Sequence, residues 1–155
     1  MPSLATLDHI KALQNVDFDF IRSGQSVALL KLRLTELGEA EGPLGIDTET
    51  TGLDPLVNQV RLVQVASKDY ALIVDLDGWR EEGKRDIPWA SPGLVQLKAL
   101  LESSKPKVLQ NAAFDLNFLA AEGVELGGSL FDTMIAAKIV NNGTGAKNDL
   151  GSIVN

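Results

Sequence analysis

The 155-residue sequence contains no cysteine. Disulfides and thiolate metal sites are therefore excluded, and any metal has to be held by oxygen or by the single histidine, His9. No apolar run approaches the length needed to span a membrane, and Asp8, Lys11, Asp17 and Asp19 interrupt what would be a signal-peptide core. The expectation is a soluble, cytoplasmic chain with no membrane partner. Basic residues are also in deficit: 14 Lys and Arg stand against 21 Asp and Glu, for a formal charge of −7. That balance excludes a protein that grips nucleic acid mainly through a basic surface. It does not exclude a nuclease, because bound divalent cations supply positive charge where the chemistry happens. Internal repeats and low-complexity segments are absent. What is present, 45% hydrophobic residues over this length, suits one domain with a proper core.

The chain is organised around Gly45-Ile46-Asp47-Thr48-Glu49-Thr50-Thr51-Gly52-Leu53-Asp54-Pro55. The apolar lead-in Pro43–Ile46 predicts a buried strand, and alternate residues of a strand share a face, so Asp47 and Glu49 project side by side. Two adjacent carboxylates repel and raise each other's pKa unless a cation or proton lies between them. Magnesium or manganese, hard cations that prefer carboxylate oxygen, would answer that repulsion. The plainer alternative is a strand that ends in a polar turn, with Asp54-Pro55 as turn chemistry. A calcium EF-hand loop is excluded, since its twelfth position, normally glutamate, is Asn58 and the preceding segment is strand-like.

In chain order, Leu4, Leu7, Ile10 and Leu13 predict an amphipathic helix over 3–14 with His9 on its polar side and without a role. Val16–Ile21 alternates as a half-exposed strand, closed by Arg22-Ser23-Gly24. Val27, Leu30, Leu34 and Leu37 predict a helix stopped by Gly38, and a strand follows over 44–49. Val60–Ser67 and Tyr70–Leu76, separated by Lys68-Asp69, form a hairpin, which makes three antiparallel strands in sequence. The charged stretch 77–91 is expected as a solvated surface loop. Ser91-Pro92 then opens a helix through Leu94, Leu97 and Leu101. A strand at 107–110, a helix at 113–122 with Gly123 as its stop, a strand at 128–131 and a helix from Asp132 to Val140 complete the order. The helix before residue 107 carries the chain across the sheet, so strand 107–110 lies parallel to, and beside, the strand ending at Asp47. The fold class is a mixed α/β sheet flanked by helices, with its ligand edge at the carboxyl ends of those two strands.

At that edge arrives Asn111-Ala112-Ala113-Phe114-Asp115. Asp115 falls in a first helical turn, where the helix dipole favours a carboxylate; alternatively it is a third acid facing Asp47 and Glu49. Asp132 is expected as an N-cap. Gly143–Lys147 lacks the spacing of a phosphate loop and follows a helix, so a plain connecting loop is expected.

In order and spacing, Gly45–Pro55, Lys107–Leu119 and Leu130–Val140 resemble the 3′–5′ exonuclease domain of family A DNA polymerases and its ribonuclease D relatives. The resemblance covers residues 24–155 and leaves 1–23 as an N-terminal helix and strand extension. It implies a ribonuclease H-like fold and two Mg²⁺ or Mn²⁺ ions that activate water and stabilise the leaving oxygen during phosphodiester hydrolysis. Asp47 would bridge both ions, Glu49 would bind one and help fix the 3′ end, and Asp115 would hold the second through water. Thr48, Leu53, Asn111 and Phe114 match positions around the 3′-terminal nucleotide, with Leu53 as the wedge. The implied substrate is the 3′ end of a single strand, DNA before RNA, beside a polymerase domain. A fourth carboxylate preceded by tyrosine or histidine belongs to a third motif. Asp149 has Gly145 and Thr144 at those positions, and the sole tyrosine, Tyr70, lies on another strand. The expectation is a third motif supplied beyond Asn155 or by another chain, with weak or no cleavage by residues 1–155 alone. The competing expectation is a degenerate exonuclease fold kept as a nucleic-acid-binding or scaffold module.

Overall fold

A computed structural model of the chain describes residues 16–22 and 26–141. The helix expected at 3–14, the Ser23-Gly24 turn, the Gly143–Lys147 loop and Asp149 lie outside the described residues. Among the described residues six strands form one sheet: β1 (Asp17–Ile21), β2 (Leu44–Thr50), β3 (Val60–Ala66), β4 (Tyr70–Asp75), β5 (Lys107–Leu109) and β6 (Leu130–Asp132), in the order β1-β4-β3-β2-β5-β6. The β2–β3–β4 meander is antiparallel, with its hairpin at Lys68-Asp69 closed by Ser67 N–H donating to Tyr70 O. Strands β5 and β6 then add in parallel. The fold is ribonuclease H-like, with antiparallel strands followed by parallel ones and helices packed alongside. At the far edge β1 runs parallel to β4 over five residue pairs within the same sheet. Asp19 secures it, accepting from the Tyr70 hydroxyl at 2.9 Å and from Arg33 Nε at 2.7 Å.

Among the described residues, four α-helices accompany the sheet: α1 (Val27–Glu39), α2 (Leu94–Glu102), α3 (Ala112–Ala121) and α4 (Thr133–Val140). Leu30, Leu34 and Leu37 of α1 and Leu94, Leu97, Leu100 and Leu101 of α2 are buried, the spacing of one helical face. They share a core with Leu44, Ile46, Val63, Val65, Leu72 and Val74 from the sheet. Two helix boundaries differ from expectation. Gly38 does not stop α1 but lies inside it, where a Cβ would meet Leu100 Cδ1 at 3.7 Å; the chain reverses at Gly42, with φ +79°. The N-cap of α2 is Gly93 rather than Ser91, with φ +92° and its N–H donating to Gln96 Oε1. A Cβ at Gly93 would sit 2.8 Å from Leu30 Cδ2, so the close approach of α1 selects glycine there.

Pairing between β2 and β5 is confined to Leu44↔Lys107 and Gly45↔Val108, after which the strands part. That divergence opens the sheet at the residues carrying the acidic motif. Nor is the 77–91 connector merely solvated: Arg80 and Ile87 are buried, and Trp89 Nε1 donates to Glu122 O at 2.7 Å. Charge composition identified a surface segment but not its partners. No helix among the described residues is long and apolar enough to cross a membrane.

Candidate active site

Strand β2 buries Leu44, Ile46 and Thr48 and exposes Asp47 and Glu49, so the alternation places the two acids on one face. Asp47 is opposite Gln64 in the β2–β3 register, and Gln64 Nε2 donates to Asp47 Oδ2 at 2.8 Å. Asp47 also borders an open hollow of about 360 Å³ floored by Gly45, Ala66, Ala71 and Val108. Its carboxyl is held above the usual range, first by burial, then by the charge of Asp115 and of Glu49.

Asp115 enters from α3 and is 3% exposed. Its Oδ1 accepts from Thr48 N–H at 3.0 Å and from the Thr48 hydroxyl at 2.7 Å. The threonine between the two exposed acids thus tethers the third acid to their strand. Burial pushes the Asp115 carboxyl up, and the Thr48 hydrogen bonds offset only part of that shift. The Thr48 side chain, 6% exposed, is turned inward to this contact. Among the described residues, no three Asp, Glu or His side chains gather closely enough to cage a metal ion. Asp47 and Glu49 project from the exposed face of β2, whereas Asp115 meets the strand at Thr48, whose side chain the alternation turns to the buried face, so the three acids share one strand without closing around a point.

The start of α3 is set by Asp132. Its Oδ1 accepts from Asn111 N–H, Met134 N–H and Ile135 N–H, and its Oδ2 from Ala112 N–H. One carboxylate therefore caps α4 and also orders the start of α3, whose own N-cap, Asn111, lies in the left-handed region at φ 59° with no side-chain cap bond. Burial pushes the Asp132 carboxyl up, but the four backbone donors pull it further down, leaving it below the usual range. Asn111 is exposed beside this junction, and the Phe114 ring packs on Phe118 at 4.8 Å between centroids. Leu53 is 84% exposed at the head of the loop after β2. The glycine before it has a physical reason, since a Cβ at Gly52 would lie 2.5 Å from the Asn58 side chain.

Residues 25–154 match the 3′–5′ exonuclease family of DNA polymerase A type. The chain belongs to that family. It is 34% identical to DNA polymerase I of Synechocystis sp. over 122 residues, 74% of this chain and 12% of the relative. It is also 34% identical to the DNA polymerase of Mycobacterium phage L5 over 104 residues, 63% of this chain and 16% of that one. The chain thus spans well under a fifth of the curated relatives it matches. Among solved structures, Escherichia coli RNase D, an exoribonuclease involved in structured RNA processing, aligns with TM-score 0.57 and 25% identity over 79% of this chain and 28% of its own. Brucella melitensis NrnC with bound Mg²⁺ aligns with TM-score 0.59 and 22% identity over 87% of this chain and 58% of its own, a likeness of fold.

Gln64 was not among the candidate residues drawn from sequence. Its pairing with Asp47 is set by the β2–β3 register across the 51–59 loop, which no local pattern in the sequence announces.

Proposed function

We propose that the edge formed by Asp47, Glu49 and Asp115 is a divalent-cation-dependent 3′–5′ exonuclease site acting on single-stranded 3′ ends, DNA in preference to RNA. The observation that carries this reading is the double hydrogen bond from Thr48 to Asp115, which ties an acid on α3 to the strand bearing the other two. Asp47, raised by desolvation and by the charges of Asp115 and Glu49, and Asp115, raised by burial, are unfavourable as ionised acids without a cation, and the all-oxygen donor set suits a hard one. Asp47 and Glu49 would hold the cations from the exposed face of β2, and Asp115 would hold one through water. Mg²⁺ or Mn²⁺ ions in pairs supply an activated water and stabilisation of the leaving oxygen. Leu53, Asn111 and Phe114 would bound the terminal nucleotide, while Thr48 would fix Asp115 rather than touch substrate. The DNA preference draws on the two polymerase relatives, which also make a polymerase domain the natural neighbour. A fourth carboxylate with its water-orienting side chain would come from outside residues 16–141 or from another chain.

A second reading, a fold retained for binding alone, is favoured by one observation: no three acids close around a point among the described residues. Calorimetric titration with Mn²⁺ and incubation of 5′-labelled DNA and RNA strands with Mg²⁺ separate the two. The exonuclease reading expects saturable Mn²⁺ binding that is lost in Asp47→Ala at unchanged circular dichroism, and shortening of DNA from its 3′ end once the polymerase-side segments are present. Equal Mn²⁺ binding by both proteins would sink the metal assignment. Strand binding without shortening, even with the polymerase-side segments present, would establish the binding module.

A further inference from the structure

The connector 77–91 lies apart from the acids, yet two of its arginines act as struts for the site. Arg80, with 5% of its side chain exposed, donates through Nη2 to Glu122 Oε1 at 2.9 Å, through Nη1 to Asp77 Oδ1 at 2.7 Å and through Nε to Arg85 O at 2.8 Å. Glu122 is the C-cap of α3, the helix that carries Asp115. The same Oε1 accepts from Val60 N–H at the head of β3, at 3.0 Å. The connector is thereby fastened to both elements that flank the site.

From that base Arg85 reaches the loop that follows Glu49. Its Nη1 donates to Leu56 O at 2.6 Å, and its Nη2 donates to Pro55 O and to Asn58 O, each at 2.5 Å. One guanidinium thus collects three carbonyls from four consecutive positions. A planar fork of donors can do this, whereas a lysine ammonium, a single point on a flexible stem, cannot reproduce the geometry. The loop so held displays Leu53 at 84% exposure, Leu56 at 81% and Val57 at 73%. Three exposed apolar side chains within five residues, on a loop whose backbone is tied down, are unusual for a solvated turn. Burying base faces against aliphatic side chains removes both from water whatever the base, which suits an enzyme that shortens strands of any sequence.

We propose that Arg85 is a positioning residue for substrate: it holds the 53–58 loop as an apolar shelf on which the last bases of a single strand pack. It thereby sets affinity for the 3′ end without entering the chemistry. The identity of the strand rests on the exonuclease reading above; the arrangement of Arg85 and the shelf is independent of it.

The test compares the wild-type chain with Arg85→Ala, Arg85→Lys and the surface double variant Leu56→Ser/Val57→Ser. The measurements are hydrogen exchange of the 53–58 amides, anisotropy binding of a 5′-fluorescein oligothymidylate, kcat and KM for its shortening with the polymerase-side segments present, and Mn²⁺ binding by calorimetry. If Arg85 loss cuts the competent loop population to about a tenth, Kd and KM rise about tenfold while kcat is kept. Both Arg85 variants are expected to show that rise together with faster loop exchange and an unchanged Mn²⁺ isotherm. The double serine variant is expected to match the affinity loss at wild-type melting temperature. Faster exchange with unchanged Kd and KM would overturn the proposal, leaving Arg85 a purely structural tie, as would a loss confined to kcat or to Mn²⁺ binding. Wild-type protein that neither binds nor shortens the strand would remove the exonuclease reading and the shelf together. Wild-type binding matched by all three variants would remove the shelf alone.

Discussion

Asp47 is held in a position that costs stability when no cation is present. Its folded-state pKa is raised by burial and by the charges of Asp115 and Glu49. A carboxyl raised in this way disfavours the native state once it ionises, fully so above its folded pKa, and the penalty disappears below its unfolded value. Asp47→Asn is therefore expected to raise the melting temperature of the metal-free protein at pH 7. The gain should vanish as pH falls below about 4. Scanning calorimetry in EDTA at the two pH values measures this, and a lower melting temperature for the variant at pH 7 would contradict it. At this scale the strand alternation made Asp47 and Glu49 legible as a pair, because residues two apart on a strand share a face. Gln64 was not legible as a partner, because its link to Asp47 depends on a register set 17 residues away.

Helices α3 and α4 share a single cap. Four backbone N–H groups converge on Asp132, and these donors depress its carboxyl despite burial. Replacing it with alanine leaves two helix starts without their acceptor, for a loss of about 2 kcal/mol at typical capping energies. A depressed carboxyl contributes stability above its unfolded pKa and loses it as pH falls through the folded value. The difference between wild type and Asp132→Ala in urea melts should accordingly be full at pH 7 and shrink below about pH 4. A difference independent of pH would show that the charge is not involved. The cap of α4 was evident from Asp132 standing before an apolar helical run; its second duty at Asn111 and Ala112 was not, since these lie 21 and 20 residues earlier. Gly38 and Ser91 misplaced two helix boundaries for a related reason. Both have the composition of a local stop or start, but the contact between α1 and α2 moves the turn to Gly42 and the cap to Gly93.

Across the whole molecule, the Arg80–Glu122 pair joins the connector to the end of α3 and the head of β3, with each side chain only 5% exposed. Removing one partner of a buried pair leaves the other charge uncompensated, so Arg80→Met is expected to destabilise by about 3–5 kcal/mol in chemical denaturation. Proteolysis of the 77–91 connector should accelerate with it; a change under about 1 kcal/mol would place the pair among weak surface bridges. By itself the sequence determined that any metal must be held without thiolate, that Asp47 and Glu49 share a strand face, and that a parallel crossover brings Asp115 toward them. These follow from composition and from periodicities that span two to four residues. Only the tertiary structure decided how Asp115 is held, by Thr48 across 67 residues, and that a charged connector ties down the loop bearing Leu53. Hydrogen bonds between distant segments leave no local pattern, because their partners are chosen by strand order and helix packing rather than by neighbours in the chain.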